Sequence, residues 1–212
     1  MLLTIYYRKG CIKSRFLRAS LRVMDWDLRE ADVDDLSARA ELEQIKVSAG
    51  SGENAIVPAI WTNESYSHEM YCLIEYLNDR SPCAMYPSEP ATRLFARTII
   101  HRVLRSLSKL WPEYRETNDP TNLLSYYDDN EELIVNCLRT LSDSSEGDSD
   151  RPRSPSFVEM LYFALLIEIN YLRPLENKAI CNWYKTMAGR GIFADLVAEP
   201  EGYFRSELCK LD

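Results

Sequence analysis

A proline inside an apolar stretch is the feature of this chain that most restricts its fold. Pro58 lies between the apolar residues 55–57 and 59–61. Proline has no backbone N–H and pushes the preceding residue toward extended geometry, and an X-Pro bond is the one peptide bond that adopts cis at small cost. We therefore expect Pro58 to open a short strand. A polar connection at 62–64, a second short strand and a helix beginning near His68 would complete the unit.

The residues ahead of Pro58 alternate between strand and helix patterns. Strands are predicted at Leu2–Tyr7 and Trp26–Arg29, and helices at Ser14–Met24 and Leu36–Ile45. In the second of these helices we expect Leu36, Ala40 and Ile45 to face inward. Alternating strands and helices predict a sheet covered by helices.

From Ala91 onward the apolar residues recur only at helical spacing. The first helix carries Leu94, Ile99, Val103, Leu107 and Leu110, and Pro112 is expected to end or kink it. Further helices are predicted at Leu123–Leu141, Met160–Leu172 and Asn177–Met187. Ser156 and Glu159 form a capping box ahead of the third of these four helices. Residues 142–156 are rich in Ser, Asp and Pro and are predicted to form a surface loop.

This change of pattern predicts two domains joined by a proline-containing linker. Residues 1–84 are expected to form a thioredoxin-like α/β domain, 85–92 the linker, and 93–212 an all-helical domain. The predicted fold class is therefore α/β plus all-α.

Composition excludes several classes of protein. The 212 residues include six widely spaced cysteines without a C-x-x-C pair and only two histidines, so neither a zinc site nor a disulfide framework is expected. No apolar run reaches the length of a membrane helix, and the first residues lack the pattern of a signal peptide, so a cytoplasmic location is expected. The net charge of −8 argues against non-specific binding of nucleic acid by the whole protein.

The charge is nevertheless uneven along the chain. Residues 1–22 contain no acid and six bases, which are Arg8, Lys9, Lys13, Arg15, Arg18 and Arg22. Such a cluster is usually solvated surface. The alternative is a basic face that meets an anionic ligand or partner, including an acidic protein surface or DNA phosphates within a larger assembly.

The run Val57-Pro58-Ala59, Glu69 ten residues beyond it, and the following Glu75-Tyr76-Leu77 with Arg80 resemble the glutathione transferase superfamily. The pattern of that superfamily reads V-P-x-L, then E-S, then a helix ending E-Y-L-x-x-R. The resemblance implies a thioredoxin-like domain followed by a helical bundle, which agrees with the fold class predicted from periodicity.

The linker resembles one branch of the superfamily more narrowly. Pro87-x-x-Pro90-x-x-Arg93, followed by Arg97 and the pair His101-Arg102, is similar to the stringent starvation protein A branch. Members of that branch are dimeric, generally non-catalytic regulators that bind RNA polymerase near its sigma factor. The resemblance implies a homodimer, with a heterodimer of related subunits left open, and contact with DNA only within a transcription complex.

The same resemblance implies two interaction surfaces. Branch members carry a P-H-P-type run after the E-Y-L helix, and the matching run here is Pro82-Cys83-Ala84, without the imidazole and the second proline. The expected partner-binding residues are Pro82, Cys83, Ala84, Tyr86 and Pro87. The expected dimer-interface residues are Arg93, Arg97, His101 and Arg102, on a helix type that often forms two-fold contacts in the superfamily.

Glutathione-binding members hold the γ-glutamyl end of the tripeptide with a Glu-Ser pair at a helix N-terminus. The matching pair here is Glu69-Met70, and methionine has no hydroxyl. The resemblance therefore implies a vestigial cleft formed by Cys11, Val57, Pro58, Glu69 and Met70, and no cofactor.

Cys11 supports the alternative, a glutathione-dependent thiol transferase. It lies seven residues before Arg18, in the slot that holds the catalytic cysteine of omega-like transferases, although Ile12 replaces the proline that usually follows. A thiol at a helix N-terminus beside Lys9 and Lys13 is expected to have a lowered pKa. The other interpretation is a half-buried cysteine without a chemical role. Tyr6 and Tyr7 are expected to pack in the core rather than to activate a thiol.

Overall fold

A computed structural model describes residues 3–24, 26–50, 57–62, 64–81, 85–143 and 154–205. The first half contains four strands and three helices in the order β1 (Leu3–Tyr7), α1 (Ile12–Val23), β2 (Leu28–Asp32), α2 (Leu36–Ser48), β3 (Ala59–Trp61), β4 (Tyr66–Ser67) and α3 (Met70–Arg80). The strands form one sheet in the order β2-β1-β3-β4. β1 is parallel to β2 and antiparallel to β3, which is antiparallel to β4.

The register of the sheet corrects the predicted position of the second strand. β1 pairs with Leu28–Asp32, and Leu3 is opposite Leu28, so the strand begins two residues later than Trp26–Arg29 and ends three residues later. Trp26 instead packs beside the core, edge-to-face with Tyr76. Pairing with β1 decides the bounds of this strand, because its own sequence has weak alternation.

The predicted inward face of α2 is wrong for two of its three residues. Ala38 and Leu42 are buried against the sheet, whereas Leu36 is 80% exposed and Ala40 is also exposed. The side chain of Asp35 accepts a hydrogen bond from the Ser37 N–H and caps the helix. The helix start fixed by this cap turns positions 38 and 42, rather than 36 and 40, toward the sheet.

The second half is helical. Its helices are α4 (Pro90–Thr117), α5 (Thr121–Asp143), α6 (Phe157–Leu172), α7 (Lys178–Ala188) and α8 (Ala194–Arg205), with a short 3-10 helix at Gly191–Phe193. Of the two expected effects of Pro112, an end of the helix is wrong, because α4 continues to Thr117 and stops at Asn118 in the left-handed conformation. Trp111 and Tyr114 are both buried, so packing on either side of the proline offsets the loss of one backbone hydrogen bond.

Helix α6 forms the centre of the core. The capping box is confirmed, because the Ser156 hydroxyl accepts from the Glu159 N–H and the Glu159 carboxylate accepts from the Ser156 N–H. Every residue from Phe157 to Ile169 is buried, and α6 contacts α1 as well as α4, α5, α7 and α8. The packing of α6 against α1 joins the two halves of the chain.

The domain bounds stay a prediction, and the linker is less separate than its sequence indicates. Helix α4 begins at Pro90, inside the predicted linker. Met85 and Tyr86 are buried, and the Met85 carbonyl accepts a hydrogen bond from the Phe157 N–H at 3.2 Å. Of the predicted surface loop at 142–156, residues 144–153 lie outside the described ranges.

Two classes of feature are absent within the described ranges. No helix there is long and apolar enough to cross a membrane. No group of three or more His, Cys, Asp or Glu side chains in those ranges is arranged to hold a metal ion.

Candidate functional site

The predicted glutathione cleft is built around the start of α1. Cys11 is the N-cap residue of α1, and its side chain makes no capping hydrogen bond. Tyr6 on β1 is opposite Ala59 on β3, so Pro58 lies beside the connection that carries Cys11. The Val57-Pro58 bond is cis. The sheet therefore brings together the elements that the sequence resemblance assigns to one cleft.

The thiol of Cys11 is accessible only to a small extent, because the residue is 9% exposed. Its N–H donates to the Arg8 carbonyl at 3.3 Å, and its carbonyl accepts from the Arg15 N–H at 2.9 Å. The nearby ammonium group of Lys13 donates to the hydroxyl of Ser108 on α4, at 3.0 Å. This lysine is thus engaged across the junction of α1 and α4.

The start of α3 carries the Glu69-Met70 pair, where glutathione-binding members have Glu-Ser. Glu69 is the N-cap residue, but its side chain does not cap the helix and approaches His68 Nε2 at 3.5 Å. Met70 is 9% exposed and packs in the same core cluster as Leu73 and Ile74. The thioether therefore fills core space and supplies no hydroxyl for a carboxylate. Position 70 therefore offers the γ-glutamyl end of the tripeptide no hydroxyl, whereas the backbone amide of Met70 is retained.

Tyr6 and Tyr7 are buried, as expected from their place in a central strand. Burial raises the pKa of Tyr7 to about 12, an effect that the nearby Arg18 guanidinium opposes. Burial also raises the pKa of Tyr6, and the negative charge of Glu41 on α2 adds to this shift. Both side chains serve packing.

Both interpretations of the N-terminal basic cluster are wrong for its arginines on α1. Arg15 and Arg18 are buried, and Arg22 is mostly covered. Burying a guanidinium is costly unless carboxylates pair with it. The partners come from three other elements, and they are Glu30 on β2, Glu168 on α6, and Asp195 and Glu199 on α8. We call these seven side chains the α1 ion network.

The innermost pair of the network is fully buried. Arg15 Nη1 donates to Glu168 Oε2 at 3.3 Å and to the Ala164 carbonyl at 3.1 Å. Desolvation raises the pKa of Glu168, and the Arg15 guanidinium opposes that shift. This pair links the first helix of the α/β half directly to the central helix of the other half.

The outer part of the network anchors α8. Arg18 lies over the Tyr7 ring, with 3.8 Å from Cζ to the ring centroid, and pairs with Glu30 and Glu199. Arg22 binds Glu30 and Asp195, and the guanidinium holds the pKa of Asp195 below its usual range. Of the three remaining bases, Arg8 and Lys9 pair with Asp34 and Asp32, and Lys13 donates to the Ser108 hydroxyl. The cluster is therefore largely neutralised within the chain.

A second candidate site lies where α3 and α4 run side by side. Arg97 donates to Glu75 through Nε at 3.0 Å and Nη2 at 2.5 Å, and it lies over the ring of the buried Tyr86. The Tyr71 ring stacks on His101 with the ring centroids 4.9 Å apart. These side chains, with Thr98 and Ile100, line a surface cavity of about 330 Å³.

Only some of the predicted interaction residues lie on an open surface of the structure. Arg93 is turned toward the linker, where it donates to the carbonyls of Pro87 and Ser88 at 2.9 Å each. Arg102 faces α5 and donates to Asn130 at 3.4 Å. Arg97 and His101 lie on the open α3–α4 surface. The predicted contacts Pro82, Cys83 and Ala84 lie outside the described residues, and Tyr86 is almost fully covered.

The sequence interpretation did not include Tyr71 and Glu75, which complete this surface. Their four-residue spacing puts them on one face of α3. That spacing was the available signal, but only the packing of α3 beside α4 shows which side chains they meet.

No family model and no curated protein sequence matches this chain. Solved structures do match. A diazinon-metabolizing glutathione S-transferase of the silkworm Bombyx mori has a TM-score of 0.68 and 16% identity, over 95% of this chain and 97% of that one. Glutathione Transferase E6 of Drosophila melanogaster has a TM-score of 0.64 and 17% identity, over 94% and 92%.

Glutathione transferase Omega 3C of Trametes versicolor is a third similar structure, with a TM-score of 0.61 and 16% identity over 94% of this chain and 88% of that one. At such identities the similarity establishes architecture and leaves activity open. The predicted fold class is confirmed, because the chain has the glutathione transferase fold.

Proposed function

We propose that this protein is a non-catalytic binding protein that acts in transcription by contacting RNA polymerase and its sigma factor. The sequence supports the proposal through the linker and the helix after it, which are similar to the stringent starvation protein A branch. The structural observation that carries the proposal is an exposed, internally braced linker next to the open α3–α4 surface. A homodimer, or a heterodimer with a related subunit, is part of the same proposal.

The linker presents a fixed surface. Residues 88–90 are exposed, and Pro87 is half-buried. Arg93 holds the carbonyls of residues 87 and 88, while the Asn78 side chain accepts from the Tyr86 N–H at 3.3 Å. A segment braced in this way loses little conformational freedom when a partner binds. Tyr86 then acts as a support beneath the surface, and Pro87 and residues 88–90 offer the accessible contacts.

The side chains of the predicted cleft are less accessible to a substrate than the linker is to a protein partner. The Cys11 thiol is mostly covered, and Met70 takes the position of the serine in glutathione-binding members. The fold is retained while the cleft has changed. This supports the binding of a protein partner rather than the conjugation of glutathione.

Binding to purified RNA polymerase tests the proposal. The immobilised protein should retain the sigma-containing holoenzyme, and Cys11→Ser should leave retention unchanged. Ser88→Arg places a bulky charge on the exposed linker and should weaken retention at least tenfold. Ser125→Arg on the exposed face of α5 is the matched control and should retain the holoenzyme fully. Absence of binding by the unmodified protein, or equal loss in both arginine variants, contradicts the proposal.

The second candidate is a glutathione-dependent thiol transferase that uses Cys11. Its specific support is the position of this residue at the N-cap of α1, after the end of β1 that pairs with Ala59. Retention on glutathione-agarose, with reduction of a mixed disulfide that Cys11→Ser abolishes, would favour this function over the first.

A further inference from the structure

Helix α4 carries an uninterrupted set of basic residues in an acidic protein. Residues 90–112 contain five of the 25 Lys and Arg residues of the chain and none of its 33 acids. Four basic side chains are exposed at four-residue spacing, and we call them the basic ridge, which consists of Arg97, His101, Arg105 and Lys109. Twelve residues of helix separate its ends, or about 18 Å.

The ridge is only partly neutralised by the chain itself. Arg97 pairs with Glu75. Within the described ranges, Arg105 and Lys109 have no carboxylate at ion-pair distance. Like charges four residues apart on a helix repel each other and reduce its stability. The ridge therefore has unsatisfied positive potential along its second half, which an external partner can use.

The ridge borders apolar surface. Its first half lines the 330 Å³ cavity, whose walls include the stacked rings of Tyr71 and His101. At the N-terminal end of α4, Leu94 is 67% exposed and Phe95 is also exposed. Interfaces draw most of their binding energy from a few apolar or aromatic side chains that fill such cavities, while surrounding charges steer the partner.

We infer that the basic ridge is the docking site for a short acidic protein segment. Its carboxylates would be spaced by about one helical turn, and one apolar side chain would enter the cavity between α3 and α4. The inference rests on the proposed binding function and assigns the chemistry of the partner that this surface selects.

Two features favour a short acidic segment over a nucleic acid. Glu113 follows the ridge at the next four-residue step, and at the other end Glu89 caps the helix one step before Arg93, so the favourable potential is limited in length. Asp129 and Glu132 are exposed on α5, the neighbouring helix, and the whole chain has a net charge of −8. A continuous phosphate backbone would meet these acids, whereas a segment with a few carboxylates would not.

Charge also disfavours a second copy of this chain on the ridge. A two-fold contact places the same patch of each copy against the other. A contact centred on the ridge would bring the two ridges together with like charge, and Glu75 is already engaged by Arg97. The inference therefore replaces Arg97 and His101 as expected dimer contacts, and the proposed homodimer would use another surface.

A peptide-binding experiment tests the inference. The probe is a fluorescein-labelled 20-residue helical peptide with Glu at every fourth position and one Leu on the same face. The double variant Arg105→Glu/Lys109→Glu should weaken binding at least tenfold at low salt and reduce the salt dependence of the affinity. The control Lys178→Glu/Lys185→Glu makes the same charge change on exposed positions of α7 and should bind like the unmodified protein.

The outcomes are distinct. No binding of the peptide, equal loss in both double variants, or tighter binding of a 20-base-pair duplex than of the peptide overturns the inference. A dimer of the unmodified protein in sedimentation equilibrium that dissociates only in the Arg105→Glu/Lys109→Glu variant also overturns it, because a second copy would then occupy the ridge. Circular dichroism of each variant shows whether the fold is retained. Holoenzyme retention without peptide binding would refute this inference and leave the proposed function standing.

Discussion

Helices α1 and α4 each carry a row of basic side chains, but the two rows have opposite environments. On α1, Arg15, Arg18 and Arg22 are covered and meet carboxylates from β2, α6 and α8. On α4, Arg105 and Lys109 are exposed, and no carboxylate of the described ranges reaches them. The same residue type at helical spacing forms an internal joint in one case and an open surface in the other.

The difference arises from what packs over each helix. Helix α1 is enclosed by α6 and approached by α8, so desolvation of its guanidinium groups had to be offset by carboxylates on those helices. Helix α4 buries one side in the core and leaves the ridge in water, where its charges need no partner for stability. Hydration makes uncompensated charge tolerable, and the ridge is then available for binding.

The largest loss of stability is expected from breaking the innermost ion pair of the α1 ion network. Arg15→Met leaves the fully buried Glu168 without its guanidinium and should lower the free energy of unfolding by about 3–5 kcal/mol. Urea unfolding measures the loss. The double variant Arg15→Met/Glu168→Leu should recover most of it, because no unpaired buried charge is left. Equal instability of the two variants would contradict the assignment of the loss to an unpaired carboxylate.

A smaller loss is expected where α8 is anchored. Glu199→Ala removes a carboxylate that pairs with both Arg18 and Arg15. Arg18 keeps its contacts with Glu30 and Asp195, and Arg15 keeps Glu168. The free energy of unfolding should fall by about 1.5–3 kcal/mol, the usual contribution of a hydrogen bond to a charged group. Hydrogen exchange of α8 amides should increase more than that of α6 amides, and uniform exchange across both helices would contradict a local anchor.

The pH dependence of stability should also reveal the buried carboxylate that pairs with the basic row of α1. The pKa of Glu168 is raised in the folded protein, so folding favours its protonated form. Its contribution is fully present below the unfolded pKa and is lost as pH rises through the folded pKa. Glu168→Gln should remove this decline above about pH 4.5 in urea unfolding at a series of pH values. An unchanged pH profile would show that Glu168 does not titrate in this way.

The smallest effect on stability is expected at the basic ridge. Arg105→Gln/Lys109→Gln should change the free energy of unfolding by less than about 0.5 kcal/mol, because both side chains are exposed and relief of like-charge repulsion is slight. Thermal and urea unfolding measure this. A loss above about 1 kcal/mol would indicate that the ridge is a structural element like the α1 row.

Much of the architecture could be predicted from local patterns. Apolar spacing indicated α4 to α7 but not α8, Ser156 and Glu159 gave the start of α6, and Pro58 marked the start of β3. The errors occurred where packing overrides a local pattern. Pro112 lies inside α4 because Trp111 and Tyr114 are buried beside it, and Leu36 is exposed because the cap at Asp35 sets the face of α2.

For the candidate sites, the sequence identified residues but not their surroundings. It gave Cys11, Pro58 and Met70 as parts of one cleft, and strand pairing brings the first two near each other. It gave Arg97 and His101 as expected dimer-interface residues, but it did not reveal that Tyr71 and Glu75 complete their surface. Those contacts join residues more than twenty positions apart, so no local pattern specifies them.

The sequence by itself determined the two-part fold, the missing hydroxyl at position 70 and the basic character of α1 and α4. The tertiary structure alone decided which basic helix would be internal, because Glu168, Asp195 and Glu199 come from segments about 150 to 180 residues away. A charge's environment depends on every group that folding brings around it, whereas a linear pattern reports only its neighbours along the chain.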